Sequence, residues 1–196
     1  MFNSHHLSNL PDKINKIMLK IGDKLPEFKL KGFDGKFYTH FDYADKYALA
    51  VVFTCNSSLI SKSYARRLLN LFEKYEDDSM GIVGINSNDA SQAPEDSFEK
   101  MQFVAERLGL ADLHFLFLQD ETQDIARKFG AKVNPEVFLF NRKRELVYKG
   151  AIDDCWQNES MVTAVYLEDA IEETLDGMEI DFPETIAEGT PILWKK

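Results

Sequence analysis

Cysteine is scarce in this chain. Its 196 residues include two cysteines, Cys55 and Cys155, so no disulfide framework staples it, and a reducing compartment suits it better than a secreted scaffold. Histidine is sparse too. The four histidines, at positions 5, 6, 40 and 114, have no cysteine at zinc-ligand spacing, so no metal and no cofactor is expected. Positive charge is also short, with 23 Lys and Arg against 33 Asp and Glu for a net charge of −10. That balance argues against nucleic acid or an anionic membrane as partner, since both recruit clustered cations. No apolar run approaches the roughly eighteen residues of a membrane span. The stretch 1–20 has neither a continuous hydrophobic segment nor a small-residue cleavage site, so no signal peptide is expected and the expected location is the cytoplasm.

Apolar residues make up 44% of the chain and charged residues 29%, the composition of a globular domain rather than a disordered tract. A chain of this length removes roughly 70% of its unfolded surface from water in one core. The expected division is an extension over 1–20, one domain over 21–177, and a tail over 178–196 laid across it.

Within that domain the most informative position is Cys55. It follows the apolar run Ala48-Leu49-Ala50-Val51-Val52-Phe53-Thr54 and precedes a helix that opens at Ser57 or Ser58. The thiolate is the reactive form of cysteine, and unpaired N–H groups at a helix start stabilise it. The Cys55 pKa is therefore expected below the free-cysteine value of about 8.5. Three residues on stands Ser58, so the site reads Cys-Asn-Ser-Ser and lacks the second sulfur of a two-cysteine redox site.

The periodicity around it alternates between strand and helix. Leu25 to Leu30 alternates apolar and polar, and Phe33-Asp34-Gly35-Lys36-Phe37 supplies a turn, together predicting a β-hairpin. A strand over 47–54 follows. Ile60, Tyr64, Leu68, Leu71, Phe72 and Tyr75 then recur at three- and four-residue spacing, predicting a helix from Ser58 to Tyr75. Further strands are predicted over 80–85, 114–118, 136–140 and 145–150. Helices are predicted from Pro94 to Gly109, from Glu121 to Phe129 behind a cap at Asp120, and from Ser160 to Leu175. This order is that of an α/β thioredoxin-like fold, a central mixed sheet flanked by helices, with an N-terminal hairpin and a helical insertion.

Several blocks resemble one family. Ile21-Gly22-Asp23-Lys24-Leu25-Pro26-Glu27-Phe28, the turn at Gly35 and the run from Asp120 to Pro135 are similar to the alkyl hydroperoxide reductase/thiol-specific antioxidant family, which is peroxiredoxin-like. Phe53-Thr54-Cys55-Asn56, Pro94-Glu95-Asp96-Ser97-Phe98 and Ile152-Asp153-Asp154 point to a thioredoxin-like branch of it. The resemblance spans about residues 20 to 177 and implies catalysis by Cys55, with Thr54, Asn56, Ser57, Ser58, Asn134 and Pro135 around it. It also implies a cis peptide after Asn134.

The departures are as telling. The branch usually reads Cys-Asn-His-Cys-Pro-Tyr, where this chain has Ser58-Leu59-Ile60. Its C-terminal Gly-Cys-x-Ile-x-Trp pattern becomes Gly189-Thr190-Pro191-Ile192-Leu193-Trp194. Ala48 and Val52 stand where the peroxidase signature has proline and threonine, and Leu49 where thioredoxins have a buried acid. Ser58 and Pro135 also have plain roles open to them, as helix cap and strand-edge proline. Arg67 reads as solvated or ion-paired, while Asn86, Asn88, Asp89, Asp153 and Asp154 read as turn and cap residues. Cys155 has two readings, a free thiol and a resolving thiol that reaches Cys55.

The expected function is that of a thiol oxidoreductase with one active-site cysteine. It acts on a disulfide, a peroxide or a protein thiol and is resolved by an external thiol such as glutathione. The rival reading is a binding module that has lost catalysis.

Overall fold

The computed structural model describes residues 18–75, 77, 79–113 and 115–196. The chain runs β1 (Lys29–Gly32), β2 (Phe37–Thr39), β3 (Ala48–Phe53), α1 (Leu59–Tyr75), β4 (Met80–Asn86), α2 (Phe98–Leu108), β5 (Leu116–Gln119) and α3 (Asp124–Phe129). It continues through β6 (Val133–Asn134), β7 (Glu136–Phe140), β8 (Leu146–Gly150), α4 (Tyr166–Asp176) and β9 (Thr190–Pro191). Seven strands form one sheet in the order β2-β1-β5-β4-β3-β7-β8. The β3–β4 and β4–β5 pairs are parallel and the others antiparallel, a mixed sheet.

β3 lies in the middle, and all six of its residues are fully buried, as a strand covered on both faces requires. Its side chains alternate between two cores. Ala48, Ala50 and Val52 face the layer that holds α1, α2 and α4, against Leu68, Phe72, Met101 and Ile171. Leu49, Val51 and Phe53 face the layer of α3. There Phe53, Phe129 and Phe138 pack edge to face at centroid distances of 5.2 to 5.7 Å. Burying one such side chain stabilises the fold by about 1.5–3 kcal/mol. The paired cores therefore fix where β3 ends and where Cys55 emerges.

Four boundaries differ from the periodicity. The first hairpin arm becomes a strand only at Lys29, because the segment before it bonds elsewhere: Gly22 N to Leu146 O and Leu25 N to Arg144 O. α3 starts at Asp124 rather than Glu121, because Gln123 sits in the left-handed region at φ 63°. Asp120 still caps this helix, accepting from Ile125 N and Ala126 N. α2 is preceded by a separate 3-10 turn, Pro94–Asp96, and opens at the cap Ser97. The last helix starts at Tyr166 rather than Ser160. Asn158 caps only a single turn over Glu159–Met161, and Asp154 then holds Thr163 by its N–H and hydroxyl in extended chain.

Segment 178–196 adds β9, which pairs antiparallel with β6 as a second small sheet, Asn134 opposite Thr190. Ile192, beyond β9, is buried in the α3-side core. The predicted strand at 114–118 has its first residue, His114, outside the described residues and is seen over Leu116–Gln119.

Candidate active site around Cys55

Thr54 N donates to Ile85 O as the sheet ends, and Cys55 follows at the C-terminal edge of β3, 4% exposed. The chain then turns through Asn56 and Ser57, and what turns it is Asp96. This carboxylate, fully buried on the 3-10 turn before α2, accepts Asn56 N at 2.6 Å, Ser57 N at 3.0 Å, Ser57 Oγ at 2.5 Å and Asn88 Nδ2 at 2.8 Å. Four donors satisfy an acid that burial would otherwise make costly. Ser57 Oγ in turn lies 3.6 Å from Cys55 Sγ.

The expected lowering of the Cys55 pKa is therefore corrected. Burial, the largest cause, pushes the thiol up, and the negative charge of Asp96 pushes it further. The Ser57 hydroxyl, the Ser58 N–H and the nearby Ser61 hydroxyl act in the opposite direction without prevailing. The physical reason is that two N–H groups leading into α1 are already taken by a carboxylate, so the thiolate would form beside an anion and out of water. Cys55 rests as a thiol at neutral pH.

Ser58 serves as a cap and as a junction. Its Oγ accepts Ser61 N at 3.2 Å, donates to Asn134 O at 3.3 Å and pairs with Thr190 Oγ1 at 2.8 Å. The two hydroxyls at the positions where the resembling branch has cysteines thus touch each other. Asn134 precedes Pro135 through a cis peptide bond, and its Nδ2 donates to Asn88 Oδ1, which also accepts Leu193 N. The backbone edge of Asn134 is occupied by β9. A side chain on Gly189 would meet Asn134 O at 2.8 Å, so glycine permits that approach.

Thr54, Cys55, Asn56, Ser57, Ser58, Asn134 and Pro135 belong to one neighbourhood, with Thr54 lining a small cavity beside the thiol. Cys155 has different partners. It is a free, half-buried thiol whose Sγ lies 3.7 Å from Gln157 Oε1, and Cys55 is free as well. Arg67 is ion-paired rather than solvated: only 11% exposed, it binds Asp153 at 2.7 Å and the carbonyl of Cys155 at 2.8 Å. Asp153, Asp154 and Asp89 serve turns, while Asn88 ties the site to the tail. Sequence reasoning missed Asp96 as a site residue. The signal was faint, a Pro-Glu-Asp-Ser helix start whose acid reads as a helix cap.

A family model for the AhpC/TSA family matches residues 21–149. The chain belongs to that family. Among solved structures it is similar to an uncharacterized conserved protein from Geobacillus kaustophilus, with 34% identity over 91% of this chain and 94% of the other at a TM-score of 0.84. A hypothetical protein from Sinorhizobium meliloti gives 29% identity over 90% and 96% at a TM-score of 0.84. The thioredoxin domain of a thiol-disulfide oxidoreductase from Bacteroides vulgatus shares the fold, with 16% identity over 67% and 88% at a TM-score of 0.55. No curated protein matches the chain. The fold is thioredoxin-like, and AhpC/TSA membership supports a thiol-based redox function in general terms. No described helix is long and apolar enough to cross a membrane.

Proposed function

We propose that Cys55 is the working thiol of a one-cysteine oxidoreductase that reacts with small disulfides or peroxides and is regenerated by an external thiol. The observation that carries this reading is the line from Cys55 Sγ through Ser57 Oγ to Asp96. A thiol held protonated needs a base at the moment of attack. Ser57 passes the Cys55 proton on as its own moves to Asp96, while sulfur attacks one sulfur of the disulfide. The substrate S–S bond breaks, and the departing thiolate recovers the proton from Asp96. With a peroxide, sulfur takes the terminal oxygen to become a sulfenic acid and an alcohol or water leaves. A first external thiol converts that acid to a mixed disulfide with loss of water. The mixed disulfide from either route persists, because Ser58 cannot attack sulfur, until an external thiol displaces Cys55. Glutathione and a small protein thiol fit that role, and β9 on the Asn134 edge favours small substrates over extended protein segments.

Treating the protein with oxidised glutathione and weighing it intact is expected to show one glutathione on Cys55. The adduct is absent in Cys55→Ala, kept in Cys155→Ser and stable until reductant is added. No modification after prolonged exposure sinks the reading, and a Cys55–Cys155 disulfide in its place makes Cys155 the resolving thiol. The relay has its own test in Asp96→Asn. Iodoacetamide alkylation, which needs only thiolate, speeds up as the negative charge leaves, whereas exchange with oxidised glutathione slows relative to alkylation.

A specific observation favours a second reading, the binding module. A groove of ≈ 220 Å³ runs between Pro135, Trp156, Tyr166 and Ile186, and Ile186 is 94% exposed. Under that reading Asp96→Asn does not change the exchange of Cys55 relative to its alkylation.

A further inference from the structure

Beside Cys55 lies a cavity of ≈ 110 Å³ between α1, α2 and the sheet, with no residue of β9 in its lining. Its wall is apolar, formed by Leu68, Leu69, Val104, Leu110, Phe115 and Phe117. Thr54, Asn56 and the exposed Lys62 also line it, and two further groups matter most. One is the Cys55 thiol. The other is Ser61, 3% exposed on the inner face of α1, whose Oγ has no hydrogen-bond partner. It lies close enough to Cys55 to favour the thiolate, but it does not meet hydrogen-bond geometry with the thiol. A serine in the first turns of a helix normally bonds a carbonyl of the preceding turn or faces water. A buried hydroxyl that does neither is a cost that a ligand atom can remove.

We infer that this cavity is a binding site for a small uncharged organic molecule with a compact apolar body and one hydrogen-bonding oxygen, the body lying on the leucine and phenylalanine wall and the oxygen meeting Ser61. The size follows from packing: at the roughly 0.74 density of protein interiors, this space holds on the order of five non-hydrogen atoms. The chemistry follows from the wall. A charged ligand would lose its water with no counter-ion among the lining residues except the exposed Lys62, and a pure hydrocarbon would leave Ser61 unsatisfied. The bound molecule would sit against Cys55 Sγ, so on the redox reading the site also selects what reaches the thiol. Binding itself does not depend on that reading.

1-Butanol and xenon are the probes, followed by backbone amide shifts in NMR titrations of the full chain. Both are expected to shift residues lining the cavity. Ser61→Ala is expected to weaken 1-butanol at least tenfold while leaving xenon binding unchanged. Ala65→Leu, a half-buried helix position on the wall, is expected to fill the space and abolish both responses. Val104→Phe fills it from α2 should the first variant fold poorly. Repeating the titration in Cys55→Ser measures binding with the thiol chemistry removed, so loss of turnover and loss of the site are read separately. The inference is overturned by no shifts with either probe, by equal 1-butanol affinity in Ser61→Ala, or by responses that survive both filling variants.

Discussion

Two buried aspartates each organise a loop beside a cysteine, and they do so by different means. Asp153, after β8, is held by the Arg67 guanidinium at 2.7 Å, by Tyr64 Oη at 2.6 Å and by Cys155 N at 2.9 Å. Asp96, before α2, is held only by neutral donors, two N–H groups, one hydroxyl and one amide. A guanidinium cancels the charge of the acid it holds, while neutral donors satisfy the oxygens and leave the charge acting on its surroundings. The first arrangement is a structural clamp between α1 and the loop after β8. The second places a carboxylate, with no cation beside it among the described residues, next to Cys55, where it opposes the thiolate and, on the proposed reading, accepts the thiol proton. Asp153 and Asp96 thus separate by partner and by position: the ion pair ties scaffold together, and the acid among neutral donors keeps its charge beside the thiol.

The largest expected break in this comparison is Arg67→Ala. It strands Asp153 without its cation and is expected to cost about 3–5 kcal/mol, the range for halving a buried ion pair. Urea unfolding measures it, and a cost under about 1 kcal/mol would show that the pair is hydrated and not a clamp. Asp96→Asn is expected to cost less, about 1–3 kcal/mol for buried donors left unsatisfied, and unlike Arg67→Ala it lowers the Cys55 pKa. If both variants left the alkylation profile of Cys55 unchanged, the distinction between clamp and chemistry would collapse.

Smaller changes sharpen the cysteine side. Ser58→Cys puts sulfur at the buried position that now meets Thr190, and diamide is expected to lower the intact mass of this variant by two hydrogens as the introduced thiol forms a disulfide with Cys55. An unchanged mass would mean that the side chain at this position is held toward β9 and away from Cys55. The smallest effect is on pH dependence. Because the folded Cys55 pKa is raised, the folded state keeps its proton where the unfolded thiol has lost it. The thiol's contribution to stability is thus complete below an unfolded pKa of about 8.5 and is lost as pH rises through the folded value. Wild-type stability is expected to fall more steeply than that of Cys55→Ala above about pH 8.5, and parallel curves would place the thiol in water.

What the sequence by itself determined is local. The unbroken apolar run of β3, the three- and four-residue spacing of α1 and the glycines that end α2, α3 and α4 in the left-handed region set the order of elements. That order, with the family blocks, was enough to read a thioredoxin-like fold and Cys55 at a strand-to-helix junction. Boundaries slipped where a distant partner overrode the local pattern, as at Leu25 with Arg144. The state of the thiol was not legible at all. Helix-start reasoning gave the wrong sign, because burial of the thiol, first, and then the charge of Asp96, forty positions beyond the backbone N–H of Asn56 that it binds, outweigh the helix start. Pairing of β9 with β6, contact between Ser58 and Thr190, and the cavity behind Cys55 were equally out of reach. Periodicity records which face of an element is buried, whereas the field at a sulfur atom and the space beside it depend on which remote segments pack there, and only the tertiary structure decides that.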